Sequence, residues 1–369
     1  MRTIPLHQQH NGTVTTSGTG SRHGIALIIV MISIFVLSML AGGFAYSMKV
    51  ETKLARNANN EAELEWLGRS GVEYARWILV QQLAIPNEPY DALNQVWAGG
   101  PGGMGTSNSP LASVQSEVVL GNGSFTWKIA DLESKLNINL ATEPLLQQAL
   151  ISIGLDAGQV TPVINSILDW IDTDDNSRIE GAENNYYQSL SPPYYAKNGP
   201  IDDIAELLFV AGITPDIFWG TASTNYQPSA LQASLHKGNV PDVPMFPVGL
   251  ADIFTSLSSG RININTASAT VLQAIPGIDQ QMAFAIVAGR QGDDDGSGLL
   301  GPYRNVQQVQ RVPGIPMEVT RQLSTFCDVR SKTFEVTIDA QISGYKRQFV
   351  AILGRNPPRD VQVLNFYWK

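Results

Sequence analysis

The sequence predicts an α+β fold, in which a long N-terminal helix packs on a small antiparallel sheet that carries a large inserted, mainly helical domain. Three observations predict it. An uncharged N-terminal run continues at helical spacing, two pairs of alternating segments lie far apart along the chain, and helical patterning fills the stretch between the pairs.

The N-terminal helix is long enough to cross a membrane. Residues 25–47 carry no charged side chain. At 1.5 Å per residue a helix of that length spans roughly 35 Å, against about 30 Å for a bilayer core, and a lone strand would leave its backbone unpaired in lipid. Arg2 and Arg22 precede the run without any acid, a bias that holds the N-terminus in the cytoplasm. We therefore expect one membrane span, with the bulk of the chain beyond it.

This segment has three interpretations: a cleaved secretory signal with small residues at 41–45, a plain signal anchor, or a leader cut between Gly24 and Ile25. Helical spacing continues past the membrane, and no proline follows until Pro86. A helix of about 60 residues, roughly 90 Å long and ending near residues 83–84, favours the third interpretation, because the cut leaves the helix as the new N-terminus.

The sheet is predicted from two pairs of segments. Residues 118–120 and 124–130 flank a Gly-Asn-Gly turn, which is typical of a hairpin. Residues 334–342 and 345–353 each alternate apolar with polar or small side chains. The glycine-rich residues 99–105 indicate a flexible connector. We expect the four strands to form one sheet, split by the insertion.

The insertion contains an internal repeat. Residues 136–142 echo residues 262–268, with Thr142 and Ser268 at the expected helix N-cap positions. The second copy continues into a pattern that resembles a helix-hairpin-helix module, often a binder of DNA phosphates. Its hairpin carries Asp279 in place of the usual second glycine and no basic residue directly after it. A carboxylate there opposes phosphate contact, which favours a structural role for the module.

Residues 172–183 have the ligand spacing of an EF-hand-type calcium loop. Counted from the first aspartate, oxygen side chains fall at the third, fifth, ninth and twelfth positions, and the seventh would offer its carbonyl. Hard oxygen donors select calcium over zinc or copper. Ser177 replaces the turn glycine, so we predict a calcium loop rather than an EF-hand domain; the alternative is a solvated acidic turn. The candidate ligands are Asp172, Asp174, Asn176, Arg178, Glu180 and Glu183, with Asp202 as a weaker candidate for a second ion or a helix cap.

Composition argues against nucleic-acid binding and enzymatic chemistry. The net charge is −9, and loss of the two leader arginines would make it −11, so the surface repels phosphate. The sole cysteine, Cys327, has no partner for an internal disulfide and is expected to be a buried free thiol. His236 is the only histidine after the first 24 residues, and neither a nucleophile elbow nor a phosphate loop is present. We expect Asp293–Asp295 to lie in a solvated loop.

Two sets of residues carry a resemblance to a known family. Residues 24–30 resemble a prepilin cleavage site, except that Ile29 stands where pilin-like proteins usually carry glutamate. The run that includes Asp169-Trp170, Asp172, Asp174, Gly181-Ala182-Glu183 and Tyr186-Tyr187 is similar to one in the K-type minor pseudopilins of type II secretion, the general secretion pathway protein K family.

The resemblance implies a type IV pilin-like stalk, calcium bound in the insertion and a place at the tip of the pseudopilus, where the protein helps to initiate assembly and export. It also implies the inner membrane with the bulk in the periplasm, prepilin peptidase as processing enzyme, N-terminal methylation, and the I- and J-type, and also H-type, minor pseudopilins as partners. The alternatives are a membrane-tethered DNA receptor of the competence type and an exported calcium-dependent enzyme.

The expected organisation follows from these assignments. It consists of a leader (1–24), a transmembrane helix (25–47), a stalk helix (48–84), a linker with the first strands (85–136), the inserted domain (137–330) and the C-terminal strands (331–369).

Overall fold

The computed structural model describes residues 22–103, 106–220, 246–291, 301–356 and 360–369. The chain falls into two compact units, which divide between Glu63 and Leu64. The first unit is helical where it is described, and the second is a mixed α+β unit. The predicted α+β fold is confirmed.

The first unit is formed by helix α1 (Arg22–Gln82), which continues into the second unit. Its apolar side chains from Ile25 to Leu54 are exposed, and the helix is long and apolar enough to cross a membrane by length and composition. The helix ends close to the predicted position. Most of the predicted leader lies outside the described residues, so cleavage after Gly24 stays a prediction.

The second unit is built on a five-stranded antiparallel sheet of order β1-β2-β7-β8-β9. The strands are β1 (Glu117–Leu120), β2 (Gly123–Asp131), β3 (Leu136–Asn137), β4 (Phe254–Thr255), β5 (Ile262–Asn263), β6 (Cys327–Asp328), β7 (Thr333–Ile342), β8 (Tyr345–Asn356) and β9 (Asp360–Trp368). The four predicted strands correspond to β1, β2, β7 and β8.

Strands β2 and β7 are neighbours in register from Gly123 opposite Ile342 to Asp131 opposite Phe334, so the inserted segment leaves and re-enters the sheet at one end. The expectation of four strands was wrong, because β9 forms a fifth. Val361 is its only fully buried residue, and this outer strand therefore lacks the alternation that marks β7 and β8.

The C-terminal part of α1 covers one face of this sheet. Gly68 and Gly71 let the helix approach closely, since a Cβ on either would overlap Phe349 or Ile338. The buried side chains of this core include Leu64, Leu67, Val72, Ala75, Ile78 and Leu79 from the helix and Phe125, Ile129, Phe334, Val336, Ile338, Phe349, Ala351 and Leu353 from the strands.

The inserted domain is mainly helical and has its own apolar core. Its helices are α2 (Glu143–Ile153), α3 (Ala157–Ile171), α4 (Asn184–Gln188), α5 (Pro215–Trp219), α6 (Leu250–Ile253), α7 (Ala269–Gln273), α8 (Gln280–Gly289) and α9 (Met317–Phe326). Two short parallel pairings, β3 with β4 and β5 with β6, bring distant parts of the insertion together. Cys327 is fully buried, as expected, and burial raises the pKa of its thiol to about 12.

The sequence repeat is also a structural repeat. In the first copy the Asn139 side chain accepts from the Ile201 amide at 2.7 Å and donates to the Ile201 carbonyl at 2.9 Å. In the second copy Asn265 brackets Tyr303 in the same way, at 2.8 and 2.9 Å. Corresponding asparagines thus hold corresponding segments, which supports a structural role for both copies.

Candidate metal centre

The predicted calcium loop connects two helices. Helix α3 ends at Ile171, with Asp172 as its C-cap residue, and Glu183 stands at the N-cap position of α4. The exiting helix α4 has only five residues, too few to show a periodic pattern in the sequence.

Three of the predicted ligands converge. The carboxylates of Asp172, Asp174 and Glu183 have oxygen atoms within 4.8 Å of one another. Glu183 is only 3% exposed, and neither of its carboxylate oxygens has a hydrogen-bond partner; the Oδ1 atom of Asp172 is also buried and unpartnered. Leaving buried carboxylate oxygens unpaired costs free energy, so this arrangement suits a bound cation.

The raised pKa of Glu183 also suits a bound cation. Burial raises the pKa of its carboxyl, as do the negative charges of the neighbouring aspartates, Asp169 and Asp172 first among them, and together they bring it to about 7. A cation among these groups would oppose both effects, because it replaces the lost hydration and screens the repulsion.

Arg178 closes the loop with its side chain. Its guanidinium donates to Asp169 at 2.7 Å and to Asp172 Oδ2 at 2.5 Å, which leaves Asp172 Oδ1 open. The predicted ligand atom of Arg178, its carbonyl oxygen, accepts from the Gly181 amide at 3.0 Å and from the Ser177 hydroxyl at 3.2 Å. Arg178 therefore neutralises part of the acidic charge as well as shaping the turn.

The remaining predicted ligands lie outside the three-carboxylate group. Asn176 donates to Asp174 Oδ1 from its backbone at 2.9 Å and from its side chain at 2.8 Å. Glu180 is exposed and has a φ of 60°. The exposed carboxylate of Asp202 pairs with Lys197 at 2.6 Å, while its neighbour Asp203 caps the following turn. Ligand roles for Asn176, Glu180 and Asp202 stay predictions.

Two residues at this site were assigned no role from the sequence. Asp169 is fully buried beneath the loop and accepts from both the backbone and the side chain of Arg178. Asn198 donates to the Asp174 carbonyl at 2.7 Å, and its own Oδ1 is buried without a partner. The Asn198-Gly199 pair was a turn signal in the sequence, but nothing local linked it to the loop.

Aromatic side chains that flank the loop in the sequence pack on one another. The Trp170 and Tyr187 rings meet edge to face at 5.3 Å, and Tyr187 stacks on Tyr194 at 5.2 Å. The predicted Asp293–Asp295 loop lies outside the described residues. The donors that converge at the site are all oxygens, so they fit calcium better than zinc or copper.

The hairpin of the second repeat is closed by Asp279. Its carboxylate accepts from the Met282 amide at 2.7 Å and caps α8. The side chain thus occupies the helix N-terminus, where a phosphate would bind in a nucleic-acid module. The absence of a nucleic-acid partner stays a prediction.

Two family models match parts of this chain. Residues 129–220 match the family model for type II secretion system protein K, and residues 258–328 match that for a helix-hairpin-helix motif. A putative type II secretion system protein K of Escherichia coli K12 is 26% identical over 53% of this chain and 60% of its own length, which is less than two thirds of that protein.

Two further relatives are matched over more of their length. Both are named type II secretion system protein K. That of Pseudomonas aeruginosa is 23% identical over 73% of this chain and 74% of its own length. That of Aeromonas hydrophila is 22% identical over 92% of this chain and 95% of its own length.

A solved structure has the same fold. A chain in the crystal structure of the GspK-GspI-GspJ complex from the enterotoxigenic Escherichia coli type 2 secretion system superposes with a TM-score of 0.59 at 19% identity. The match covers 85% of this chain and 99% of that one.

Proposed function

We propose, on the premise that this chain belongs to the type II secretion system protein K family, that it caps the tip of the pseudopilus and helps to start its assembly. In this role it acts by assembly rather than by catalysis. The growing filament below it then moves folded proteins through the outer membrane.

The observation that carries this proposal is the uncharged position Ile29. It is the fifth residue counted from Ile25 and lies within the apolar part of α1. A free N-terminal ammonium buried in a filament needs a carboxylate partner. A subunit with isoleucine at this position offers no such partner to a neighbour's ammonium, so we place it first in the filament, with its inserted domain blocking further subunits above it.

The partners proposed for this chain are the I- and J-type minor pseudopilins. The similar solved chain comes from a complex that contains GspI and GspJ. The exposed apolar side chains of α1 offer a helix face on which such subunits can pack. We also propose contact with the H-type subunit, processing and methylation at Ile25 after cleavage by prepilin peptidase, and anchoring in the inner membrane with the bulk in the periplasm.

Substitution Ile29→Glu tests the tip position. We expect the variant to be incorporated along the shaft, because its carboxylate can pair with a neighbour's ammonium, and we expect secretion to fall as tip assembly is disturbed. Immunogold counting along sheared pseudopili and a secretion assay measure the two effects. Ile29→Leu is the matched control and should behave like the natural chain. Unchanged labelling and unchanged secretion in Ile29→Glu would argue against the tip role.

We also propose that residues 172–183 bind calcium and that the ion stabilises the inserted domain. Three observations support this proposal: the convergence of Asp172, Asp174 and Glu183, the unpartnered oxygens of Glu183, and the raised pKa of its carboxyl. Removal of the ion should leave these carboxylates to repel one another.

Calcium titration of the full chain in detergent micelles, with thermal melts in calcium and in chelator, tests the loop. Glu183→Gln should lose calcium binding at this loop and the part of the calcium-dependent rise in Tm that the loop supplies, yet keep its Tm in chelator, since the amide removes a buried charge. Asp174→Asn should weaken binding as well. Glu143→Gln, at an exposed acid on α2, is the control and should bind normally. Full calcium stabilisation in Glu183→Gln would overturn the proposal.

A further inference from the structure

A second polar cluster lies where α1 ends. Gln82 is the last residue of the helix and is 2% exposed, and the nearby Glu88 is 5% exposed. The Gln82 amide donates to Glu88 Oε2 at 2.7 Å, and the buried Gln95 amide donates to the same oxygen at 2.8 Å. Both amide donors therefore reach one oxygen of the carboxylate, and the other, Oε1, has no partner.

Four side-chain oxygens in this region are buried and unpartnered. They are Gln82 Oε1, Glu88 Oε1, Asn94 Oδ1 and Thr106 Oγ1. Thr106 is 6% exposed, so three of the four residues are more than nine-tenths buried.

Two described glycines of the connector lie against two of these oxygens. A Cβ on Gly103 would lie 2.2 Å from Glu88 Oε1, and a Cβ on Gly102 would lie 2.5 Å from Thr106 Oγ1. The Gly102 amide donates to the Asn94 carbonyl at 2.9 Å. Two adjacent glycines thus touch three of the four oxygen-bearing residues, and the fourth, Gln82, is hydrogen-bonded to Glu88. Only glycine allows the backbone to close over this carboxylate.

The charge of the Glu88 side chain lacks an ion-pair partner among the described residues. Within the part of the chain that the structure describes, no lysine or arginine forms a salt bridge with the Glu88 carboxylate; Arg330 donates to the backbone carbonyls of Glu88 and Pro89 instead. The last turn of α1 carries no basic residue, although the C-terminal end of a helix dipole favours positive charge. A buried carboxylate in such surroundings needs a cation to offset its lost hydration.

We propose that Gln82, Glu88, Asn94 and Thr106 bind a hard cation through oxygen atoms. The donors are one carboxylate, two amide oxygens and one hydroxyl, a set that suits calcium or sodium and not the soft transition metals. The bound ion fastens Gly102 and Gly103 to the end of α1. With one carboxylate, the site binds calcium more weakly than the loop at residues 172–183 does.

Calcium binding to the full chain in detergent micelles, counted by equilibrium dialysis and followed by thermal melts, tests this site. We expect Glu88→Gln to lower the number of bound calcium ions by one and to reduce the calcium-dependent rise in Tm. Its Tm in chelator should not fall, because the isosteric amide removes the unpaired charge. Binding that remains in Glu183→Gln should disappear in the double variant Glu183→Gln/Glu88→Gln, so failure of the loop and failure of this site give different results.

A second set of melts distinguishes calcium from sodium as the bound cation. The same melts in sodium chloride and in choline chloride show whether sodium alone raises Tm in the natural chain and not in Glu88→Gln. Either ion, when it acts through Glu88, supports the site.

Glu133→Gln is the matched control. Glu133 is also a buried glutamate, but both of its oxygens accept hydrogen bonds, from Ser259, Lys332 and Thr333. This variant should lose stability equally in calcium and in chelator. The proposal is overturned if Glu88→Gln binds as many ions and gains as much Tm from calcium and sodium as the natural chain. It is also overturned if acidification without metal raises Tm in the natural chain and not in Glu88→Gln, because a proton and not a metal ion is then shared between the oxygens.

Discussion

Among single residues, Asp131 joins the end of strand β2 to the inserted domain. Its Oδ2 accepts from Asn263 at 3.1 Å and from the hydroxyls of Ser331 and Thr266 at 2.6 Å each. Its Oδ1 accepts from the Glu133 amide at 2.9 Å. Burial raises the pKa of Asp131 to about 7, although the two hydroxyls lower it in part. The folded state therefore holds a proton on this carboxyl more tightly than the unfolded chain does.

This difference predicts a pH dependence of stability. The stabilising contribution of Asp131 is complete below its ordinary pKa of 3.8 and is lost as the pH rises through about 7. In chelator, we expect the Tm of the natural chain to fall between pH 5 and pH 8 by more than that of Asp131→Asn. Asp131→Asn should also be less stable at pH 5, by about 1–3 kcal/mol, because an amide cannot accept all of these hydrogen bonds. Parallel curves for the two proteins would contradict the assignment.

Among the elements, α1 and the sheet are held together by close contact. A Cβ on Gly68 would lie 2.5 Å from Phe349 Cδ2, and a Cβ on Gly71 would lie 2.7 Å from Ile338 Cγ2. Both distances are below those of real carbon contacts, so the two glycines set how near the helix axis lies to the strands.

Gly71→Ala tests this packing. Alanine raises helix propensity by about 1 kcal/mol, whereas overpacking a close contact costs about 1–3 kcal/mol. We expect a net loss of stability of about 1 kcal/mol in chemical denaturation, and the same sign for Gly68→Ala. Gly42→Ala is the control on the same helix, because a Cβ there meets nothing within 4 Å, and it should not destabilise the folded unit. A more stable Gly71→Ala would show that the helix has room to shift.

Strand β9 is held by side-chain contacts although its sequence lacks the alternation of a strand. Phe366 stacks on Phe349 with ring centroids 5.5 Å apart. The guanidinium of Arg69 in α1 lies over the Phe366 ring, 5.1 Å from its centroid. These contacts attach an outer strand whose Leu364 and Trp368 remain exposed. The strand is therefore defined by its partners in β8 and α1 rather than by its own alternation.

In the molecule as a whole, a buried ion pair connects the linker after α1 to the sheet. Arg355 of β8 pairs with Asp91, and their side chains are 5% and 1% exposed. Arg355 also donates to the Ser331 carbonyl, and Asp91 accepts from the Ser331 amide at 2.9 Å. Three distant segments of the chain thus meet at one pair of charges.

Arg355→Met should destabilise the protein by about 3–5 kcal/mol, because it leaves Asp91 buried without its cation. The double variant Arg355→Met/Asp91→Asn should recover part of that loss, since it removes the orphaned charge as well. Denaturant unfolding of the two variants measures the difference. If the double variant loses as much unfolding free energy as the Arg355→Met and Asp91→Asn variants lose together, the two side chains are not coupled.

The sequence by itself determined the elements that depend on local patterns. The uncharged run before Lys49, the alternation in β7 and β8, and the repeat that contains Asn139 and Asn265 are all periodic or self-similar, so short-range physics was enough to predict them. The oxygen spacing in residues 172–183 was likewise a local signal, and Asp172, Asp174 and Glu183 do come together.

Only the tertiary structure decided what depends on distant contacts. Three features depend on partners far along the chain or across a turn. They are the fifth strand, the contacts of Asp169 and Asn198 with the loop, and the burial of the oxygens around Glu88. A buried carboxylate looks like any other glutamate in a sequence. Whether it is solvated, paired or left to a cation is settled by burial and by the groups that folding brings against it.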